Sequence, residues 1–170
     1  NLGVSLHRAE SIAVSGDLMD KAACYSRSLS INPNQAVVWF NLGNTVQENE
    51  TIVVGQVAVS KSDCYVSAVH IDVRFAEAWY NLGVTLGAAQ PRPDADVAIR
   101  PQSIQFRRRD YDASMCFIMA ILGREEYPEA WLQLGLTGAE GKTFLDRSWT
   151  QKDCIQKSLL LRPAFSDAWR

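Results

Sequence analysis

Histidine, long apolar runs and net charge are what this sequence has least of. Only two histidines occur in 170 residues, His7 and His70. No H-E-x-x-H, G-x-S-x-G or phosphate-loop pattern accompanies them. The common vehicles of general-base, zinc and nucleotide chemistry are therefore missing, and the chain reads as a non-enzyme without metal or cofactor. No stretch approaches the ~20 apolar residues that cross a bilayer, so no membrane partner is expected. Seventeen basic and nineteen acidic residues leave a formal charge of -2, which provides no global positive field toward nucleic acid. The one basic run, Arg107-Arg108-Arg109, reads as a solvated loop tip, with RNA binding there a distant alternative. Asn49-Glu50-Thr51 is a formal glycosylation sequon that matters only in a secreted protein.

Close cysteine pairs are also lacking. Cys24, Cys64, Cys116 and Cys154 lie 40, 52 and 38 residues apart, and without a CxxC pair the usual zinc spacing is absent. Each occupies the same place in a repeated unit. Neighbouring copies should then stand on the order of 10 Å apart, as packed helices do, beyond the roughly 7 Å a disulfide permits. Small buried thiols in a reducing compartment, the cytoplasm, are the expectation.

What is present is repetition. Trp39, Trp79, Trp131 and Trp169 each follow a cysteine by 15 residues. Val38, Ala78, Ala130 and Ala168 precede them, and Gly43, Gly83 and Gly135 follow three of them by four. Asn1-Leu2-Gly3, Asn41-Leu42-Gly43 and Asn81-Leu82-Gly83 are direct copies, and Gln133-Leu134-Gly135 is a near copy. Trp39, Leu42, Gly43 and Val46 share one face of a first helix. The glycine is better explained by close approach of a neighbour than by a break. A second helix carries Cys24, Tyr25 and Leu29, with counterparts Cys64, Tyr65, Val69; Cys116, Phe117, Ile121; and Cys154, Ile155, Leu159. Small residues (Ser28, Ala68, Ala120, Ser158) stand where helices can meet. Asp20, Ser60, Asp112 and Thr150 are expected N-caps, with Asp63 and Asp153 completing capping boxes. Pro33 and Pro163 mark ends of second helices, and Pro128 fits a first turn.

Between the two helices lies an insert. Residues 51–54 and 57–60 flank Gly55-Gln56 and predict a β-hairpin; residues 11–20 are a weaker copy and 142–149 another. In the third repeat, residues 97–99 and 103–106 are the candidate strands.

The Trp, Leu-Gly, aromatic, small-residue and proline series, here Trp39, Leu42-Gly43, Tyr65, Ala68 and Pro33, resembles the tetratricopeptide repeat. The likeness covers essentially the whole chain, although the units are 38 to 52 residues long against a family period of 34. It implies a mainly all-α fold, an α-α superhelix of helix pairs with small β-hairpin insertions. Four repeats (1–40, 41–80, 81–132, 133–170) form one solenoid segment. That frame starts inside one first helix and stops just after Trp169, so a longer parent chain is expected.

Off the apolar stripe, about 150° away on the helical wheel, lie Asn41, Asn81 and Gln133. Phe40, Tyr80 and Leu132 form a second row, with Asn44 nearby. These seven are the candidate partner-binding residues, since apolar side chains off a core call for a partner and amides suit peptide backbone. The resemblance implies that such first helices line a concave groove, as in the glycosyltransferase whose asparagine ladder holds extended chain. The lysines of the family's carboxylate clamp are replaced by Phe40 and Tyr80, so that activity is not carried over. A plainer reading packs both rows on neighbouring helices. The expected function is a non-catalytic scaffold for a peptide or protein. The alternatives are a solenoid segment self-associating end to end in a filament and the regulatory arm of a larger enzyme.

Overall fold

A computed structural model describes residues 11–14, 17–87, 103–137 and 142–162. Strands β1 (Ser11–Val14) and β2 (Asp17–Asp20) lead into helices α1 (Lys21–Ile31) and α2 (Ala36–Thr45). Strands β3 (Thr51–Val54) and β4 (Val57–Ser60) lead into α3 (Lys61–Ile71) and α4 (Ala76–Gly87). Then come β5 (Ser103–Phe106), β6 (Arg109–Asp112), α5 (Ala113–Gly123) and α6 (Pro128–Thr137). Strands β7 (Lys142–Phe144) and β8 (Arg147–Trp149) precede α7 (Gln151–Leu160). Each strand pair is its own two-stranded antiparallel sheet.

These elements overturn the expected fold class. Seven helices and four small sheets among the described residues make the chain mixed α/β, though mostly helical, and not an all-α superhelix. Its contacts divide it into two compact units, Asn1–Val73 and Arg74–Arg170, so no continuous solenoid is shown. The hairpin inserts supply core: Phe106, Phe144 and Trp149 on the strands are buried. Sequence period reports how often a local unit recurs. A superhelix needs in addition that every unit pack on both neighbours alike, and period carries no information about that.

Local chemistry explains how each hairpin passes directly into a helix. Asp20, Ser60 and Asp112 end their strands and are also the N-caps of α1, α3 and α5. A strand residue and an N-cap share β-region dihedrals, so no loop is needed between them. Ser60 and Thr150 form full capping boxes with Asp63 and Asp153. Pro128 opens α6, where its missing N–H costs nothing.

The turns differ in how visible they are. Gly55, at φ 63°, sits at the β3–β4 turn that its sequence announces. Arg107 and Arg108 (φ 48° and 65°), like Leu145 and Asp146 (φ 51° and 60°), take the left-handed conformation without glycine. Two successive positive-φ residues give the turn whose twist matches antiparallel strands. This corrects the third hairpin. Ser103–Phe106 pairs with Arg109–Asp112, not with residues 97–99, which lie outside the described residues. The Arg-Arg turn has none of the usual turn residues to give it away.

Each unit builds its core where a first helix meets the next second helix. In unit 1, a Cβ on Gly43 would stand 2.7 Å from the Tyr65 ring; in unit 2, Gly83 meets the Phe117 ring at 2.7 Å and Gly135 meets Ile155 at 2.8 Å. Trp79 and Trp131 lie against the hairpins. Trp79 packs edge-on to Phe106 (5.1 Å between ring centres) and stacks on Tyr111 at 5.3 Å. Trp131 contacts Phe144 at 5.6 Å and Trp149 at 4.4 Å. In unit 1, Val54 and Val59 are the buried residues of the hairpin. The indole N–H groups of Trp39 and Trp131 donate to the carbonyls of Pro33 (2.8 Å) and Glu125 (2.7 Å), fixing the connections between helices.

Asp112 also ties α5 to the fourth hairpin. It accepts from the Met115 N–H and the Ser114 hydroxyl, both at 2.7 Å, and lies 3.6 Å from the Lys142 ammonium. Partial burial pushes its pKa up, but these donors outweigh burial and hold the carboxyl below its ordinary value. A depressed carboxylate stabilises the fold above the unfolded pKa of about 3.9, and that stabilisation disappears as pH falls through the folded value.

Gly83→Ala should cost about 1–3 kcal/mol in urea denaturation through overpacking. Gly87→Ala, whose nearest neighbour would be 3.7 Å away, should stay within about 0.5 kcal/mol. Asp112→Asn keeps a competent N-cap. It should lower the melting temperature at pH 7, with the difference from wild type closing as the carboxyl is protonated in acid, below its ordinary range.

Candidate binding face of the first helices

The expected site residues fall on α2, α4 and α6, and each unit is described on its own. In unit 1, α2 presents Phe40, Asn41 and Asn44. Phe40 and Asn41 are half-buried and Asn44 is exposed. Because Gly43 has no side chain, the Tyr65 ring from α3 lies against the α2 backbone. This brings its hydroxyl to donate to Asn44 Oδ1 at 2.9 Å and its ring to 6.0 Å from Phe40. Tyr65 therefore belongs to this face. Sequence reasoning placed it only in the core, although a tyrosine opposite a glycine was the available signal: its polar tip requires a partner when the ring is buried.

In unit 2, α4 presents Tyr80, Asn81 and Val84. Tyr80 is half-buried between Phe117 (5.8 Å) and Tyr127 (5.1 Å). The Arg124 guanidinium lies 3.9 Å from the Tyr127 ring centre and pairs with Glu77 at 2.6 Å. Phe117 brings no hydroxyl to this place, and Val84 stands where unit 1 has Asn44, so the same face is apolar here. On α6, Leu132 and Leu136 are exposed and Gln133 is half-buried. Packing on a neighbour thus occupies Phe40 and Tyr80, whereas Val84, Leu132 and Leu136 turn to solvent.

The remaining chemistry-bearing residues lie elsewhere. All four cysteines are buried and unpaired. Burial, aided by Asp63, pushes the Cys64 thiol up to about 12; burial, aided by Asp153, takes Cys154 to about 11. Burial likewise raises Cys116. Thiols held protonated are poor nucleophiles and poor metal ligands. Among the described residues no group of three or more His, Cys, Asp or Glu is placed to hold a metal ion. No described helix is long and apolar enough to cross a membrane. His70 is exposed on α3, with Nδ1 3.0 Å from the Val66 carbonyl, and His7 lies outside the described residues. The arginine run forms the tip of the β5–β6 hairpin, exposed, with the Arg107 guanidinium 5.2 Å from the Phe106 ring centre.

Removing the hydroxyl that joins α3 to Asn44 separates packing from hydrogen bonding. Tyr65→Phe should keep the ring in place and lower stability by about 0.5–1.5 kcal/mol, measured by chemical denaturation. Compared with known proteins, the chain matches no family model and no curated sequence.

Proposed function

We propose that the chain is a non-catalytic binding module that holds a peptide or partner protein against the outer faces of α4 and α6. The observation that carries this reading is solvent exposure of large apolar side chains beside amides. Val84 is 40% exposed, Leu132 36% and Leu136 60%, next to the half-buried Asn81 and Gln133. Leu132 and Leu136, four apart, share one side of α6. Apolar side chains give a partner area to cover, and amides, which donate and accept together, match the alternating groups of a peptide backbone. The motif likeness to tetratricopeptide repeats, whose first helices line the ligand surface, supports the same reading. In unit 1, considered by itself, Asn41 and Asn44 offer amides of the same chemistry on α2. Four unpaired thiols suit a reducing compartment, and we place the protein in the cytoplasm.

Peptides selected from a random displayed library against the chain provide the test. Leu132→Ala with Leu136→Ala should weaken such ligands about tenfold or more. The melting temperature should be nearly unchanged, because both side chains are exposed. Asn81→Ala with Gln133→Ala should weaken them further. Equal affinity for wild type and both double variants would remove this face from consideration.

A further inference from the structure

The third hairpin carries charge that the rest of its unit balances. In unit 2, Arg124, Lys142, Arg147, Lys157 and Arg162 each lie against an acidic side chain. Arg107, Arg108 and Arg109 are exposed at the tip of β5–β6, and no described carboxylate forms an ion pair with any of them. Asp110, next on β6, offsets one of the three charges at most. Comparison with the fourth hairpin shows how one cation comes to be open. Arg109 and Arg147 each stand three residues before the N-cap of the following helix. Three residues after that cap, α7 has Asp153, whose carboxylate lies 3.8 Å from the Arg147 guanidinium. In α5 the same place holds Met115, which is exposed. The same arginine is neutralised in one copy and left without its acid in the other.

The turn makes the three cations a fixed group. Arg107 and Arg108 both take left-handed backbone, at a cost in conformational energy that glycine avoids. Leu145 and Asp146 take the same turn, so the conformation belongs to the fold and the charge to this copy. Phe106, at the foot of the tip, is buried edge-on to Trp79 and Tyr111, with ring centres 5.1 and 5.6 Å away. The Arg107 guanidinium lies over that ring. Like charges in three successive positions repel one another, and an anion relieves this. We propose that the tip Arg107–Arg109 docks a short acidic segment of a partner protein, whose consecutive Asp or Glu carboxylates pair with the guanidinium forks. An exposed hairpin tip has no walls to enclose a small anion. Nineteen acidic residues against seventeen basic ones set the rest of the chain against a long polyanion such as nucleic acid, whereas a short acidic segment spans the tip alone. This is recognition of an acidic motif by clustered arginines. It shares no residue with the α4 and α6 face, and either surface can fail without the other.

Fluorescein-labelled octaglutamate is the probe, titrated into the full chain by anisotropy, with octaglutamine as the uncharged control. At physiological ionic strength, charges more than about 8 Å apart are largely screened, so the measurement reads local pairing. Saturable binding of octaglutamate alone is expected, weakened about fivefold or more when Arg107→Gln, Arg108→Gln and Arg109→Gln are combined. Combining Arg124→Gln, Lys157→Gln and Arg162→Gln removes the same charge elsewhere and should leave the affinity nearly unchanged. Met115→Asp restores the acid found in α7; it should weaken binding with no loss of melting temperature. No saturable binding, equal loss from the two triple variants, no effect of Met115→Asp, or tighter binding of a duplex RNA of the same charge would overturn the proposal.

Discussion

The approach of two helices at a single glycine governs both the packing and the surface of each pair. A Cβ at Gly43 or Gly83 would lie 2.7 Å from an aromatic ring, closer than real side chains come. Hydrogen in place of that carbon lets the ring rest on backbone. In one case the ring is tyrosine, and its hydroxyl emerges at Asn44; in the other it is phenylalanine, and valine stands where that asparagine was. The same close approach therefore yields a polar surface in the first unit and an apolar one in the second. A single buried contact chooses what solvent, or a partner, meets outside.

The tryptophans extend this logic to the hairpins. A strand ending in Asp or Ser needs no loop before a helix, because its last residue already has the backbone of an N-cap. The hairpin is thereby held at a fixed place over the first helix, where Trp79 and Trp131 receive aromatic side chains from the strands. The insert and the indole stabilise one another, and the strands become core. In unit 1 the buried residues of the β3–β4 hairpin are the valines Val54 and Val59.

Helix geometry also sets which apolar residues meet solvent in unit 2. On α4 and α6 the exposed apolar residues lie off the buried stripe, so their exposure is a property of the helix face.

The sequence by itself determined everything that depends on near neighbours along the chain. The N-caps, both capping boxes, the hairpin at Gly55 and the helical stripes through Trp39 and Trp131 follow from spacing and side-chain chemistry within a few residues. The exposure of Leu132 was legible for the same reason, since helical angle alone carries it off the stripe. The Arg107-Arg108 turn was not, because its conformation is imposed by strand pairing and not by glycine. Nor was the fate of Phe40, Tyr80 and Tyr65: whether a ring off the stripe meets water or another ring depends on residues some 20 to 50 places away. Tertiary structure alone decided that the inserts are core, that the class is mixed, and that contacts divide the chain at Val73 and Arg74. Periodicity fixes angles about one helix axis; which face finds a partner is settled by long-range packing.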